Sequence, residues 1–255
     1  QVLSCVDSEQ GTAFLGEAAR SEGTRIPVVL ELNTGMNRAG VLPGDETVAL
    51  AKKIDQIDGV DLCGLMTWES PAAKEPDLEG KKAASAQMLG SLVDSAEACR
   101  AAGLNMEIIT CGGTLTYWYS AFHPGITEMQ AGGGIYGDAM YCHTFGVEHE
   151  FALSIMSTVT SRPTPTRIIC DAGKKTMSAD MADPIPLGIG SVAEYKQSAE
   201  HGILELAVAS DSPAVGDRLQ WIAGYSDTTV VLHNELVATR DGVVEAVWPL
   251  LGRGK

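Results

Sequence analysis

The 255-residue chain predicts an α/β fold: βα units around a parallel sheet, followed by an all-β C-terminal domain. Three observations carry that expectation. Up to about residue 145, short β-branched apolar runs alternate with amphipathic stretches, the pattern of βα units around a parallel sheet. Beyond that point the apolar runs are short and broken by Gly, Pro and Asp, with little helical period. The composition, 45% hydrophobic and 20% charged, is globular and excludes disorder, collagen and a coiled coil. The expected domains are residues 1–148 and 149–255.

In chain order, Val2 to Val6, Pro27 to Leu32, Leu62 to Thr67, Glu107 to Cys111 and Ile126 to Gln130 read as the strands of the first domain. Asp45 precedes a helix with Val48, Ala51 and Ile54 on one side, and its carboxylate is expected to cap the first turn. The stretch from Leu78 to Ala102 carries Leu89, Leu92, Val93 and Ala96 at helical spacing, and Gly103 stops it. In the second domain, Phe151 to Ser161, Arg167 to Asp171, Ile203 to Ala209 and Val243 to Trp248 read as strands. An eight-stranded barrel takes about 250 residues, so the first domain supplies only part of one. Either the sheet is open or its first strands lie outside this sequence. The chain opens on Gln1 rather than Met, which reads as a fragment or a processed form.

With 18 basic against 33 acidic side chains, the formal net charge is -15. That charge repels phosphate backbones and anionic lipid, and no basic cluster interrupts it, so no nucleic-acid or membrane partner is expected. The longest apolar runs fall far below the roughly 20 residues of a membrane-spanning helix. Cys5, Cys63, Cys99, Cys111, Cys142 and Cys170 stand singly, without the paired spacing of zinc or redox motifs, and read as six reduced thiols in the core of a cytoplasmic protein.

The run Glu31 to Gly40 follows directly on a strand, so its polar residues emerge where α/β proteins place their ligands. Arg38 brings a fixed positive charge for an anionic oxygen. The alternative is an ion pair with Glu31 or Asp61. Cys111-Gly112-Gly113-Thr114 and Gly132-Gly133-Gly134-Ile135-Tyr136 end the fourth and fifth strands, and such glycine loops either turn the chain or converge their amides on an anion. Lys174 and Lys175 read as a solvated turn, with a Schiff-base lysine as the alternative. Asp227 and His233 could share a metal, though two ligands make a poor site. His123, His143 and His149 show no ligand spacing, and a structural role is expected of them.

These runs also occur in a family's order. Val6-Asp-Ser8, Glu31 to Gly40, Gly64-Leu-Met66, Cys111 to Thr114, Thr127 to Gly132, Asp171 to Ser178, Glu200-His-Gly202, Thr229 to His233, Arg240-Asp-Gly242, Trp248-Pro249 and Arg253-Gly254 together span essentially the whole chain. The chain resembles the D-threonine aldolase and D-serine dehydratase-like family, which uses pyridoxal 5'-phosphate on an alanine racemase-type barrel (fold type III) followed by a β-domain; the resemblance implies that the first domain is a partial (β/α)8 TIM-type barrel. The resemblance implies that Arg38 faces the phenolic oxygen of the pyridoxal ring and that Gln130 lies near the ring. It implies that Gly112, Gly113, Thr114, Gly133 and Gly134 hold the phosphate. It further implies a homodimer, and a lyase cleaving 3-hydroxy D-amino acids to glycine and an aldehyde, with dehydratase or racemase activity as alternatives.

Three departures from the family pattern stand out. The family's Schiff-base lysine, in a His-x-Lys-Thr-His-Lys segment of the first barrel strand, has no match here. The chain reads as starting near the family's fourth strand, so it is expected to be inactive alone and to bind the cofactor noncovalently at best. The metal pair, His-x-Cys or His-x-Asp in the family, reads Tyr225-Ser226-Asp227, which puts a zinc or manganese site in doubt, keeps Asp227 as a ligand candidate and makes Tyr225 the acid/base candidate. Trp68-Glu-Ser-Pro71 replaces a Tyr and a Gly-His pair on the substrate side. Two rival readings are a noncatalytic pyridoxal phosphate carrier and a sugar-phosphate or small-anion binding protein.

Overall fold

Ser4–Val6, Ile26–Glu31, Val60–Met66, Ile108–Cys111 and Glu128–Met129 form strands β1 to β5 of one parallel sheet, paired in sequential order. This computed structural model describes residues 2–253; Gln1, Gly254 and Lys255 lie outside the described residues, and with Gly254 goes half of the Arg253-Gly254 pair. The chain divides into two compact units, Gln1–Gly132 and Gly133–Lys255. The expected boundary stood at residue 148; the segment 133–148, which includes a π-helical turn at Met140–Thr144, groups with the second unit.

In the first unit the central strands are buried on both faces, as parallel strands are, which is why Val28, Val29 and Leu30 run without polar interruption. Helix α1 (Glu9–Ser21) is capped by Ser8, whose Oγ accepts from the Gly11 amide at 3.3 Å. The sequence reading passed over this helix because its buried face is Thr12, Gly16 and Ala19, too small and polar to give an apolar period. Helix α2 (Asp45–Asp55) buries Thr47, Ala51 and Ile54. Here the cap expectation is corrected: Gly44 holds the cap position, no side chain caps the helix, and Asp45 with Glu46 lies in the first turn, where a negative charge faces the helix dipole. Helix α3 (Leu78–Ala101) is capped by Asp77 and buries Leu89, Leu92, Ala96 and Cys99 against the sheet. A single helical turn, α4, covers Tyr117–Ser120.

Sequential parallel order has one consequence for function. The loops that follow β2, β3, β4 and β5 all leave from the same edge of the sheet.

The second unit holds β6 (Ser154–Ser161), β7 (Arg167–Cys170), β8 (Ile185–Leu187), β9 (Val192–Gln197), β10 (Gly202–Leu206) and β11 (Arg218–Ile222). They form an antiparallel sheet in the order β8-β11-β6-β7-β10-β9. Its core centres on Trp221, which is fully buried, donates from Nε1 to Ser157 Oγ at 2.8 Å and lies 5.6 Å from the Tyr195 ring. A short helix α5 (Ser226–Val230) precedes the ribbon of β12 (Glu235–Arg240) and β13 (Val243–Pro249). All six cysteines are free, but only Cys99, Cys111 and Cys170 are in the core; Cys5 is exposed and Cys63 and Cys142 are half-buried, which corrects the expectation of six core thiols. Among the described residues no helix is long and apolar enough to cross a membrane.

Candidate active site

The loop after β2 folds back on itself. Asn33 donates its amide to Val41 O at 2.9 Å, Val41 returns one to Glu31 O at 3.0 Å, and Asn33 Oδ1 accepts from the amides of Gly35 and Asn37. Gly40 has φ +99°, and a Cβ there would stand 2.7 Å from Asn33 N, so only glycine closes this loop. The closed loop presents Arg38, whose guanidinium carbon lies 5.1 Å from the centre of the Trp68 ring. Its Nη2 is 3.5 Å from Glu31 Oε1. Of the two carboxylates weighed for Arg38, Glu31 is the partner; Asp61 takes Arg25 instead, at 2.8 Å.

The same indole reaches the turn after β4. A Cβ placed on Gly113 would lie 2.8 Å from Trp68 Nε1, so one ring has Arg38 against its face and Gly113 at its N–H edge. Next in sequence, Glu69 is fully buried. Its Oε2 accepts from the Gly112 amide at 3.0 Å and its Oε1 from Thr116 Oγ1 at 2.7 Å. Thr116 and Tyr117 both donate their amides to Gly113 O. The Gly112 amide is committed to Glu69, so it shapes the turn and is not free to donate elsewhere. Two polar atoms here are buried and have no partner: Thr114 Oγ1 and Trp68 Nε1. Both are closed off from water, so an anion reaches them only with a shift of the turn. Gln130 is tied to β4, donating from its amide to Cys111 O and from Nε2 to Thr110 Oγ1, each at 3.0 Å.

Burial, and then the nearby Glu69 charge, pushes the Cys111 thiol far above the usual range and the Tyr119 phenol up to about 12. Neither is a nucleophile or base near neutral pH.

Gly133 and Gly134 belong to the second unit. A Cβ on Gly133 would lie 2.7 Å from Tyr141 Oη, and one on Gly134 would lie 3.0 Å from His149 Cε1, so both rings press against the glycine pair. Asp138 is fully buried. Its Oδ1 accepts from the Tyr141 amide at 2.8 Å, and its Oδ2 accepts from the amide and the hydroxyl of Ser226, each at 2.7 Å. This fixes the Tyr225-Ser226-Asp227 triplet, in which Tyr225 Oη donates to Asp227 Oδ2 at 2.8 Å. The Tyr141 ring meets Tyr225 edge-on with centroids 5.9 Å apart. Burial first, and then the hydrogen bond to Asp227, raises the Tyr225 phenol far above its ordinary range. It is a neutral proton donor and a poor base.

The metal reading of Asp227 with His233 is not supported. His233 Nε2 pairs with Thr176 O at 2.7 Å, and among the described residues no group of three or more His, Cys, Asp or Glu is placed to hold an ion. Lys174 and Lys175 are exposed, and Lys175 pairs with Glu200, as a solvated turn should. Sequence reasoning assigned no role to Glu69 or Asp138. The signal was available: each is a lone acid in an otherwise apolar or glycine-rich run, the context in which a carboxylate is held by hydrogen bonds.

Residues 1–140 match the alanine racemase N-terminal domain. The chain belongs to that family. Residues 152–239 match the serine dehydratase domain. Among relatives of this alanine racemase-type chain, the 3-hydroxy-D-aspartate aldolase of Paracoccus denitrificans (strain Pd 1222) is 30% identical over 262 residues, which cover 100% of this chain and 67% of the relative. The D-threonine aldolase of Arthrobacter sp is 29% identical over 257 residues, covering 100% and 68%. The crystal structure of D-threonine aldolase from Filomicrobium marinum superimposes with a TM-score of 0.90 at 29% identity, covering 97% of this chain and 68% of that one. The chain thus spans about two thirds of the length of these relatives. The likeness runs through both units, so the expected fold, a TIM-type α/β part followed by a β-domain, holds.

Proposed function

We propose that this chain serves a pyridoxal phosphate-dependent lyase that cleaves 3-hydroxy D-amino acids to glycine and an aldehyde. The observation that carries the reading is the indole of Trp68, with Arg38 on its face and the Gly113-Thr114 turn at its edge, where a buried Thr114 hydroxyl has no partner. A cation on the face of the indole and, at its edge, a glycine turn with an unsatisfied hydroxyl suit a phosphate ester on a small aromatic ring. The relatives' aldolase activities, on D-threonine and on 3-hydroxy-D-aspartate, agree with that choice.

When bound, pyridoxal phosphate supplies an electron sink for the pair left on Cα as the Cα–Cβ bond breaks. The chain's own residues do the rest. Thr114 and Gly113 would hold the phosphate, Arg38 would offset the charge of the phenolic oxygen, and Gln130 would border the ring. Tyr225, a poor base, keeps its proton, so within this pair Asp227 is the group that would accept the proton of the substrate hydroxyl. Asp227 belongs to no group of three or more candidate metal ligands among the described residues, and no step here uses a metal. The free cysteines agree with a cytoplasmic home, and the protein assembles as a homodimer, which sedimentation tests.

The test is glycine release from D-threonine and from 3-hydroxy-D-aspartate by the protein at its natural length with pyridoxal phosphate added. Release from D- but not L-isomers supports the reading. No release from either substrate overturns it.

A further inference from the structure

We propose that Glu69 is a positioning residue whose buried carboxylate holds the Gly112–Thr116 turn in the shape that takes a phosphate ester, and whose charge limits how tightly that ester is held. The proposal rests on the cofactor reading above and adds a residue to it.

Both ends of the turn are tied to one side chain. Gly112 N–H reaches Glu69 Oε2 at 3.0 Å, and Thr116 Oγ1 reaches Oε1 at 2.7 Å. Gly112 has φ +83° and a Cβ on it would lie 2.1 Å from Met129 Cε, so the direction of its N–H is set by the backbone rather than chosen by a side chain. Between the two anchors lie Gly113 and Thr114, and Thr114 Oγ1 is the buried atom without a partner. A fully buried carboxylate with no ligand role is costly to retain. Its two bonds to the ends of a glycine turn that bears an unsatisfied hydroxyl give it a purpose. The charge is felt locally, since it contributes to the raised thiol of Cys111 and the raised phenol of Tyr119. The same charge opposes an incoming phosphate.

Geometry and charge separate in two variants. Glu69→Gln keeps the anchors: its carbonyl accepts from Gly112, and its NH2 donates to Thr116, because a hydroxyl accepts as readily as it donates. Glu69→Ala loses both anchors. The probes are pyridoxal phosphate and pyridoxal, titrated by absorbance against the whole chain. Glu69→Ala is expected to weaken pyridoxal phosphate by about tenfold and to leave pyridoxal unchanged. Glu69→Gln is expected to bind pyridoxal phosphate at least as tightly as the parent, by up to about fivefold, through loss of the opposing charge.

Equal losses for both probes, a Glu69→Ala protein that binds like the parent, or a Glu69→Gln protein as weak as Glu69→Ala would each overturn the positioning role. Should the parent itself bind no pyridoxal phosphate, the cofactor reading fails, and the role of Glu69 is then read from amide hydrogen exchange across residues 112–116. Protection in the parent and in Glu69→Gln but not in Glu69→Ala supports the anchor; equal exchange in all three overturns it.

Discussion

Two fully buried carboxylates, one in each unit, hold the segments to which we assign the chemistry, and they do so differently. Glu69 holds the Gly112–Thr116 turn through one amide and one hydroxyl, and leaves Thr114 Oγ1 and Trp68 Nε1 without partners. Asp138 holds the 225–227 triplet, with an amide facing each of its oxygens and the Ser226 hydroxyl added to one, and there Tyr225 is already bonded to Asp227. The first network is incomplete and suited to receive a ligand. The second is closed on itself and suited to fix a proton donor. Buried polar groups are normally satisfied, so the incomplete network is the informative one.

The largest expected effect sets these carboxylates against each other. Asp138→Asn turns its amide NH2 toward a backbone N–H that cannot reverse, so it should destabilise the fold by about 2 kcal/mol. Glu69→Gln faces a hydroxyl that can reverse and should cost under about 1 kcal/mol. Urea midpoints of the two variants check this, and equal losses would erase the distinction. Next, Thr114→Val removes a buried hydroxyl with no partner and should raise stability by about 1 kcal/mol while weakening pyridoxal phosphate. Such a gain paired with a loss marks a site held ready at the expense of stability, and a loss of both would place Thr114 among ordinary structural residues.

A smaller effect concerns alkali. Tyr119, Tyr195 and Tyr225 all have phenols raised by burial above the unfolded value of about 10. The buried thiols of Cys99, Cys111 and Cys170 are likewise raised above their unfolded value of about 8.5. Above each unfolded value the native state binds the extra proton, so stability is complete below about pH 8.5, falls beyond it, and falls more steeply beyond about pH 10. Unfolding midpoints from pH 7 to 11 should decline from about pH 8.5 and more steeply beyond about pH 10, with Tyr225→Phe declining less steeply in the upper part. A profile that rises above pH 10 would contradict the assigned environments.

Much of the first unit could be read directly. β2 to β4 are mostly apolar and short, and α3 ends one residue before its expected last residue because Gly103, at φ +85°, stops it. Helix α1 escaped notice because small residues form its buried face. Arg38 was legible as a charge at a strand's end, and its choice of Glu31 over Asp61 was not, because Arg25 occupies Asp61 in three dimensions. The anchors were least legible. Glu69 meets partners 43 and 47 residues away, and Asp138 meets Ser226 88 residues away, separations over which spacing carries no signal. The two glycine loops look alike in sequence, yet they fall in different units with different neighbours.

The most direct measurement is a titration of pyridoxal phosphate against pyridoxal, on the parent chain and on Thr114→Val. The account predicts that the parent prefers the phosphorylated form and that Thr114→Val loses about tenfold of that preference. A parent chain that binds both forms alike, or a Thr114→Val chain that keeps the full preference, would contradict it.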